Sequence, residues 1–430
     1  MASQTLRRIT PSVHGPYLWV LAAPGRCARL GLGRPRTSRQ SPINHLMDAI
    51  DRANGLLERY AVLARAELPA GAKVFDAHTH LGDDIDGMVG DRDELLAIQR
   101  GFGIERSFVF CLDEPDRRPA FMAANDRTLA HAAAAPAELL PFVRLDLDEG
   151  PVAEATRCID RGARGIKLHP RAQRFLPDDP RLEPVFALAA ERRVPILIHG
   201  GRGLPPIADS LARLLDRHCP PALIVAHAGI VDLAAMAENF AGRAGVFFDT
   251  SVWSPLDLLD LYRLVPPEQV VYASDYPYGR QPNSLLMAVR TARASGLDDA
   301  EVRAMLHDTA ARIADGLEPV TPGAARGAAE LSHPVPFLRI HQYLTMASAM
   351  LWLRHASDTY GVLGLAINAC DARSNGYREE TNQLRELLVT TRDLWDLAGQ
   401  TEDEGDRRRA QRGAFRLVHL ASVLAVTNPA

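Results

Sequence analysis

The chain has 430 residues, more than one ordinary domain needs, and 47% of them are hydrophobic. Its net charge of −4 argues against a general nucleic-acid binder, and it contains no apolar run long enough to span a bilayer. The five cysteines are scattered and form no CxxC pair, which argues against a disulfide scaffold or a thiolate zinc site and fits a reducing cytoplasm.

Residues 1–46 form an arginine-rich leader with seven arginines and no acidic residue. The apolar run Tyr17–Ala23 is short for the core of a signal sequence, and no A-x-A cleavage site follows it. We therefore interpret residues 1–46 as a disordered extension, or as sequence upstream of a true start at Met47. A secretion signal or a transit peptide is the alternative. We expect an N-terminal helix over residues 47–71.

Eight short β-rich runs alternate with helix-patterned segments over residues 72–317. The runs are Val74–His78, Ser107–Cys111, Leu140–Leu145, Gly165–His169, Val194–His199, Leu223–His227, Val246–Thr250 and Val270–Asp275. This alternation indicates parallel strands, and eight such units can close into a (β/α)8 TIM barrel. The alternative, an open doubly wound α/β sheet, is disfavoured because no G-x-G-x-x-G follows the first run.

The C-terminal part of the chain differs from this pattern. Residues 318–336 are rich in Gly, Ala and Pro and are typical of a linker. Residues 337–430 are predicted to form an all-helical extension, because the apolar residues of 384–398 recur at helical spacing. Its amphipathic helices need a surface to cover, so we expect them to pack on the barrel or to form a homo-oligomer.

Polar residues stand at the ends of five predicted strands. They are His78 with His80, His169, His199, His227 and Asp275. In a closed barrel, the carboxyl ends of all strands lie on one rim, where barrel enzymes hold their sites. Leaving so many buried polar groups unsatisfied costs about 1–3 kcal/mol each, so a purely structural core has little reason to gather them.

The spacing of His78 and His80 favours a metal site. Residues two apart on a strand point to one face, so two neutral imidazoles can bind one borderline divalent ion such as zinc. A further histidine and a carboxylate from across the barrel would complete the ligand set. Taken singly, each residue has an ordinary reading: a hydrogen-bonded core histidine for His227, a turn cap for Asp275 and a rim ion pair for Lys167.

Several motifs in order resemble the amidohydrolase superfamily, nearest to the amidohydrolase-related branch that includes the aminocarboxymuconate-semialdehyde decarboxylase type. The motifs are Asp76–His80, Gly165–Pro170, Ile198–Gly200, Ala226–Gly229, Phe248–Ser251 and Ser274–Pro277. The resemblance covers about residues 72–317, so the helical extension lies outside it.

The resemblance implies one zinc-like ion, a small-molecule substrate and a fixed set of ligands. His78, His80, His199 and Asp275 would hold the ion, and His227 would contact its bound water or the substrate. Lys167 matches the position of a carbamylated lysine in two-metal members. The number of ions therefore stays open, and one is favoured.

The leading hypothesis is a metal-dependent hydrolase that cleaves a C–N or C–O bond of an amide, lactone or ester. Asp275 would move the proton of the attacking water, and His227 would hydrogen-bond the developing oxyanion. Asp249 would orient a ligand histidine, or would simply cap its strand. Lys167 and His169 are further candidates for contacts with a ligand residue or the substrate.

Two other functions remain open from sequence. The first is non-oxidative decarboxylation, or hydration, of an unsaturated or aromatic acid, with Arg202 and Arg280 on rim loops as candidate clamps for its carboxylate. The second is a catalytically idle barrel that acts as a binding protein. We expect no nucleic-acid or membrane partner.

Overall fold

The computed structural model describes residues 42–327, 333–371 and 377–428. Most of the leader prediction therefore lies outside the described residues. The N-terminal helix begins at Pro42, five residues before the expected start at Met47. Proline is favoured in the first turn of a helix, and the side chain of Leu46 is buried in the core, so the helix needs these residues.

Nine strands and sixteen α-helices are present in the described residues. The strands are β1 (Val74–Asp83), β2 (Val89–Gly90), β3 (Ile104–Cys111), β4 (Leu139–Arg144), β5 (Gly165–Leu168), β6 (Ile196–His199), β7 (Leu223–Ala226), β8 (Val246–Asp249) and β9 (Val270–Val271). The helices are α1 (Pro42–Ala66), α2 (Arg92–Phe102), α3 (Met122–Ala134), α4 (Pro151–Asp160), α5 (Pro170–Gln173), α6 (Glu183–Glu191), α7 (Ala208–Arg217), α8 (Leu233–Phe240), α9 (Pro255–Leu264), α10 (Asn283–Ala294), α11 (Asp299–Arg303), α12 (Thr309–Ala314), α13 (Val335–Trp352), α14 (Val362–Cys370), α15 (Arg378–Gln400) and α16 (Glu404–Thr427).

Eight of the strands form a closed parallel barrel. Their order is β1-β3-β4-β5-β6-β7-β8-β9, and the segment after β9 returns to β1. The closure is made by backbone hydrogen bonds from Ala77 N to Tyr272 O (2.9 Å), from Asp275 N to His78 O (2.9 Å) and from His80 N to Tyr276 O (2.7 Å). The predicted (β/α)8 fold is confirmed. The short antiparallel β2, which pairs with the end of β1, was not predicted.

Alternation along the strands sorts side chains between the barrel interior and the helices. Phe142, Leu197 and Phe247 belong to the cluster that fills the interior, whereas Val143 and Ile166 pack outward under the helices. Because the strand repeat is two residues, the next inward positions are those two residues further on. They are Arg144, His199 and Asp249. The barrel interior is thus apolar one layer nearer the amino ends of the strands and polar at their carboxyl ends.

The four C-terminal helices α13–α16 pack on one another and on the outer surface formed by α1 and α10. Trp395 is fully buried and donates its indole N–H to His355 O (2.8 Å), and Asn283 Nδ2 donates to Arg416 O (2.6 Å). Helix α14 lies within the predicted all-helical extension, although its bounds were not predicted. Within the described residues, no helix has the length and apolar character that crossing a membrane requires.

Candidate metal centre

Three side chains converge at the rim of the barrel. The Nε2 atoms of His78 and His80 lie 3.1 Å apart, and Asp275 Oδ1 lies 3.3 Å and 3.2 Å from them. His227 approaches from the other side, so that ligand atoms of His78, His227 and Asp275 all lie within 4.8 Å of one another. The structure therefore brings together residues that are almost 200 positions apart in the chain.

The backbone at the ends of β7 and β9 is shaped to present these groups. Asp275 and His227 have φ values of 61° and 57°, in the left-handed region that residues other than glycine rarely adopt. Such conformations cost of order 1–3 kcal/mol and persist where the surrounding structure holds them. At Asp275, the hydrogen bond from its N–H to His78 O closes the barrel and fixes the residue beside its neighbour.

Asp249 is the hydrogen-bonding hub beneath the cluster. Its Oδ2 accepts from His78 Nδ1 (2.7 Å), and its Oδ1 accepts from His227 N (2.7 Å), Ser251 N (3.0 Å) and Ser251 Oγ (2.5 Å). The bond to Asp249 places the proton of neutral His78 on Nδ1. Its Nε2 lone pair is then free for an ion, in the arrangement of carboxylate, histidine and metal found in protein metal sites.

His227 is held in a similar way by the main chain. Its Nδ1 lies 2.7 Å from Ser251 O, and since a carbonyl oxygen only accepts, Nδ1 carries the proton. In the neutral ring, Nε2 is therefore an acceptor or a ligand atom. The oxyanion-donor role predicted from sequence would require the ring to be protonated on both nitrogens.

His199 and His169 form a stacked pair at the edge of the cluster. Their ring centroids are 4.1 Å apart at an interplanar angle of 14°, and His199 also meets His227 at 4.6 Å. Both nitrogens of His199 are buried without a hydrogen-bond partner in the described residues. By contrast, His169 Nδ1 accepts from Ala172 N at the start of α5, so this nitrogen is already used.

Lys167 lies fully buried within the cluster. Its Nζ is 3.2 Å from His78 Nε2 and 4.6 Å from the ring centre of Phe110. Burial lowers the pKa of its ammonium to about 7, although the nearby carboxylates of Asp275 and Asp249 act in the opposite direction. Lys167 thus lies where it can contact either a ligand histidine or a molecule bound there.

Burial also controls the protonation of the histidines. It lowers the pKa of His78, His80 and His199 well below the ordinary value, with a smaller contribution from neighbouring cationic groups. The same cause raises the pKa of Asp275, and the positive charge of Lys167 opposes it. Neutral imidazoles are the form that binds metal ions.

The donor set fits a divalent ion. Zinc bound tetrahedrally at about 2.0–2.1 Å places its ligand atoms about 3.3 Å from one another. The three distances among His78, His80 and Asp275 are 3.1, 3.2 and 3.3 Å. The unpartnered nitrogens of His199 supply a further donor at the same rim.

The two rim arginines predicted as clamps are already paired with carboxylates. Arg280 Nη2 donates to Glu94 Oε2 (2.9 Å) and the guanidinium lies 5.3 Å from the ring centre of Tyr276. Arg202 is largely exposed, 4.0 Å from Asp257 and 6.0 Å from the ring centre of Trp253. Sequence reasoning gave no role to Ser251 or to Arg144. Ser251 lies two residues beyond Asp249, and Arg144 lies two residues beyond the inward-facing Phe142. Strand alternation could therefore have identified both residues.

The C-terminal helices reach the mouth of the site. Trp352, the last residue of α13, lies 4.4 Å from Trp253 and 6.2 Å from Tyr278 between ring centroids. Tyr278 in turn stands 5.9 Å from His80, edge to face. Phe415 of α16 completes the group at 5.6 Å from Trp253. An aromatic cluster of four rings therefore joins the extension to the loops that follow β8 and β9.

A sequence profile described as amidohydrolase matches residues 75–313, which is more than half of the chain. The chain belongs to the amidohydrolase family. The resemblance inferred from the motifs is thus confirmed, and members of this superfamily bind a divalent metal. The matched segment of this amidohydrolase contains every residue of the candidate metal centre and ends before the linker. A search of the curated proteins finds no match.

Solved structures similar to this amidohydrolase include decarboxylases and a hydrolase. One is 2,6-dihydroxybenzoate decarboxylase complexed with 2,6-dihydroxybenzoate (17% identity, TM-score 0.45, covering 57% of this chain and 98% of that one). Another is a dihydroxybenzoic acid decarboxylase from Polaromonas sp. JS666 with bound manganese (14%, 0.46, 57% and 97%). A third is a probable 2-pyrone-4,6-dicarboxylic acid hydrolase from Acinetobacter baumannii (12%, 0.45, 56% and 99%).

Proposed function

We propose that this amidohydrolase is a metal-dependent hydrolase that adds water across a C–N or C–O bond of a small molecule. The observation that carries the proposal is the convergence of His78, His80 and Asp275 at ligand spacing on the barrel rim. His199 would complete the ligand set, with His227 alongside. A single zinc ion bound there would acidify water and polarise the substrate carbonyl.

Asp275 is proposed as the group that moves the proton. Burial raises the pKa of its carboxyl above the ordinary value, which makes the carboxylate a stronger proton acceptor. It would take a proton from the attacking water and deliver it to the leaving nitrogen or oxygen. Asp249 would act by positioning, because its two oxygens accept from the ring of His78 and from the backbone N–H of His227.

Decarboxylation of an unsaturated or aromatic acid is the second candidate. One observation favours it: Arg144, a buried arginine of the polar layer, forms no ion pair among the described residues and could hold the acid group of a substrate. In that reaction, Asp275 would deliver its proton to carbon. The two candidates differ in their products, because one consumes water and the other releases carbon dioxide.

The test is turnover on a panel of lactones, esters, amides and aromatic acids by zinc-loaded and chelated protein, with product analysis. Asp275→Asn keeps an oxygen near the ion but removes the basic carboxylate. We expect it to retain much of its metal and to lose about 10²–10⁴-fold in rate. His199→Ala should lose metal and activity together. Asp315→Asn, a surface carboxylate paired with Arg106, is the matched control and should leave the rate unchanged.

Three results would contradict the proposal. An Asp275→Asn protein with full metal and normal turnover would show that this carboxylate is not the proton-transfer group. Release of carbon dioxide without addition of water would favour the second candidate. A metal-loaded protein without turnover across the whole panel would favour the idle barrel. Loading with manganese in place of zinc would test the identity of the ion.

A further inference from the structure

We propose that Arg144 is the residue that recognises a carboxylate of the substrate. This inference rests on the proposed metal-dependent site, with either of its two candidate reactions, because it names the substrate class of that site. Arg144 would take the role of carboxylate clamp that was predicted from sequence for Arg202 and Arg280. The substrate that enters the barrel would then be an anion.

The position of Arg144 follows from strand alternation. It is the last residue of β4, two beyond the inward-facing Phe142, and it pairs in register with Lys167 on β5. Asn125 fixes its backbone on both sides: Arg144 N donates to Asn125 Oδ1 and Asn125 Nδ2 donates to Arg144 O, each at 2.9 Å. The side chain therefore enters the polar layer from a rigid base.

The guanidinium is buried and incompletely satisfied. Arg144 is only 2% exposed, its Nη1 donates to Cys111 O over 3.4 Å, and its Nε has no hydrogen-bond partner in the described residues. The guanidinium carbon also lies 5.0 Å from the ring centre of Phe121. No ion pair is formed by Arg144 within the part of the chain that the structure describes.

The carboxylates nearby are already used. Glu114 pairs with Arg127, and Glu154 pairs with Arg157 and accepts from Asn125. By contrast, the neighbouring Lys167 faces Asp275 and Asp249. A buried charge is stable when it is paired and hydrogen-bonded, so Arg144 lacks the partner that the other buried cation has.

A substrate carboxylate would supply that partner. The planar guanidinium presents N–H donors in a fork that matches a carboxylate through two parallel hydrogen bonds. The positive charge of Arg144 also contributes to lowering the pKa of His80 and His169, which places it within electrostatic reach of the metal centre. A carboxylate on Arg144 would therefore hold the rest of the molecule beside the ligand histidines.

The test compares benzoate with the isosteric neutral benzamide by titration calorimetry on the full-length zinc-loaded protein. We expect the wild type to prefer benzoate, and Arg144→Met to weaken benzoate binding at least tenfold with zinc content and benzamide binding unchanged. Arg144→Lys should recover part of the preference, and it serves as the readout if the methionine variant does not fold. Arg117→Met is the matched control, because Arg117 already pairs with Asp113.

Benzoate binding that is equal in wild type, Arg144→Met and Arg144→Lys would overturn the inference, as would a wild type that does not distinguish benzoate from benzamide. Repeating the titration after chelation separates this inference from the proposed function. A preference for benzoate that persists without metal and depends on Arg144 supports the anion site even if the hydrolase proposal fails. If the wild type loses its preference for benzoate on chelation, and zinc-loaded Arg144→Met keeps that preference, then the ion binds the carboxylate and the inference about Arg144 is wrong.

Discussion

Replacing Asp249 with asparagine would test whether the hub beneath the metal centre sets the protonation of His78. Oδ1 of Asp249 accepts from three donors, two of Ser251 and the N–H of His227. Oδ2 accepts from His78 Nδ1, its single donor among the described residues. An asparagine has one acceptor oxygen, and it would stay with the three donors. Its NH2 group would then face Nδ1–H of His78, donor against donor.

His78 can avoid this clash only by moving its proton to Nε2, the nitrogen that points to Asp275 and His80. A protonated Nε2 cannot bind an ion, so the variant must lose either the hydrogen bond or the ligand. Loss of such a partner weakens metal affinity about 10–100-fold, which corresponds to about 1.4–2.7 kcal/mol. The fold should persist, because asparagine has nearly the same size.

The assay is competition for zinc against a chromophoric chelator, with circular dichroism as the check on folding. Asp315→Asn is the matched control: it makes the same substitution at a surface carboxylate paired with Arg106, so the zinc affinity should change little. Equal zinc affinity in wild type and Asp249→Asn would refute the reasoning, because it would show that His78 does not depend on this carboxylate for its tautomer.

Two further perturbations concern the C-terminal helices. Burial lowers the pKa of His419 to about 4 from an unfolded value of about 6.5, so the unfolded chain binds the proton first and stability falls as the pH decreases from about 6.5 towards 4. Between pH 7 and pH 5, protonation of His419 in the unfolded chain should lower the free energy of unfolding by about 2 kcal/mol. Thermal melts at the two pH values should show that His419→Leu loses less stability than the wild type over this range. An equal loss of stability in the two proteins would contradict this prediction. Truncation after Leu317 should uncover the surface of α1 and α10 and cause aggregation or self-association in size-exclusion chromatography. A truncated protein that stays monomeric, folded and equally soluble would show that the extension is an independent appendage.

The barrel could be predicted because each strand is a short apolar run bounded by a polar residue, and eight alternations leave few topologies. The elements that were not predicted lack this signal. β2 has only two residues and exists through its pairing with β1. The bounds of the short helix α14 were not predicted because its sequence, in which Asn368 is the one polar residue, shows no polar face. The first helix begins earlier than expected because the expectation was tied to Met47 as a possible true start, whereas the helix includes Pro42 and buries Leu46.

The site was predictable in its membership but not in its contacts. Strand-end histidines identify the rim, yet the sequence cannot show that the Nδ1 proton of His227 is fixed by Ser251 O. Nor can it show that Asp249 accepts from both the ring of His78 and the backbone N–H of His227. Arg280 was a candidate clamp for a substrate carboxylate, whereas the structure pairs it with Glu94. Which arginine lacks a partner depends on three-dimensional pairing, and so Arg144 was overlooked. The set of metal ligands stays a prediction.

The contact between Trp253 and Trp352 gives the molecule an intrinsic optical signal. The two indoles lie 4.4 Å apart, one on the loop two residues beyond Ser251 and the other at the end of α13. Trp352 is 37% exposed, whereas Trp395 is fully buried among the C-terminal helices. Two indoles in contact exchange excitation energy, so any movement of the extension relative to the barrel mouth changes their emission. Tryptophan fluorescence, without an added label, can therefore report the docking of these helices while ions or small molecules enter the barrel.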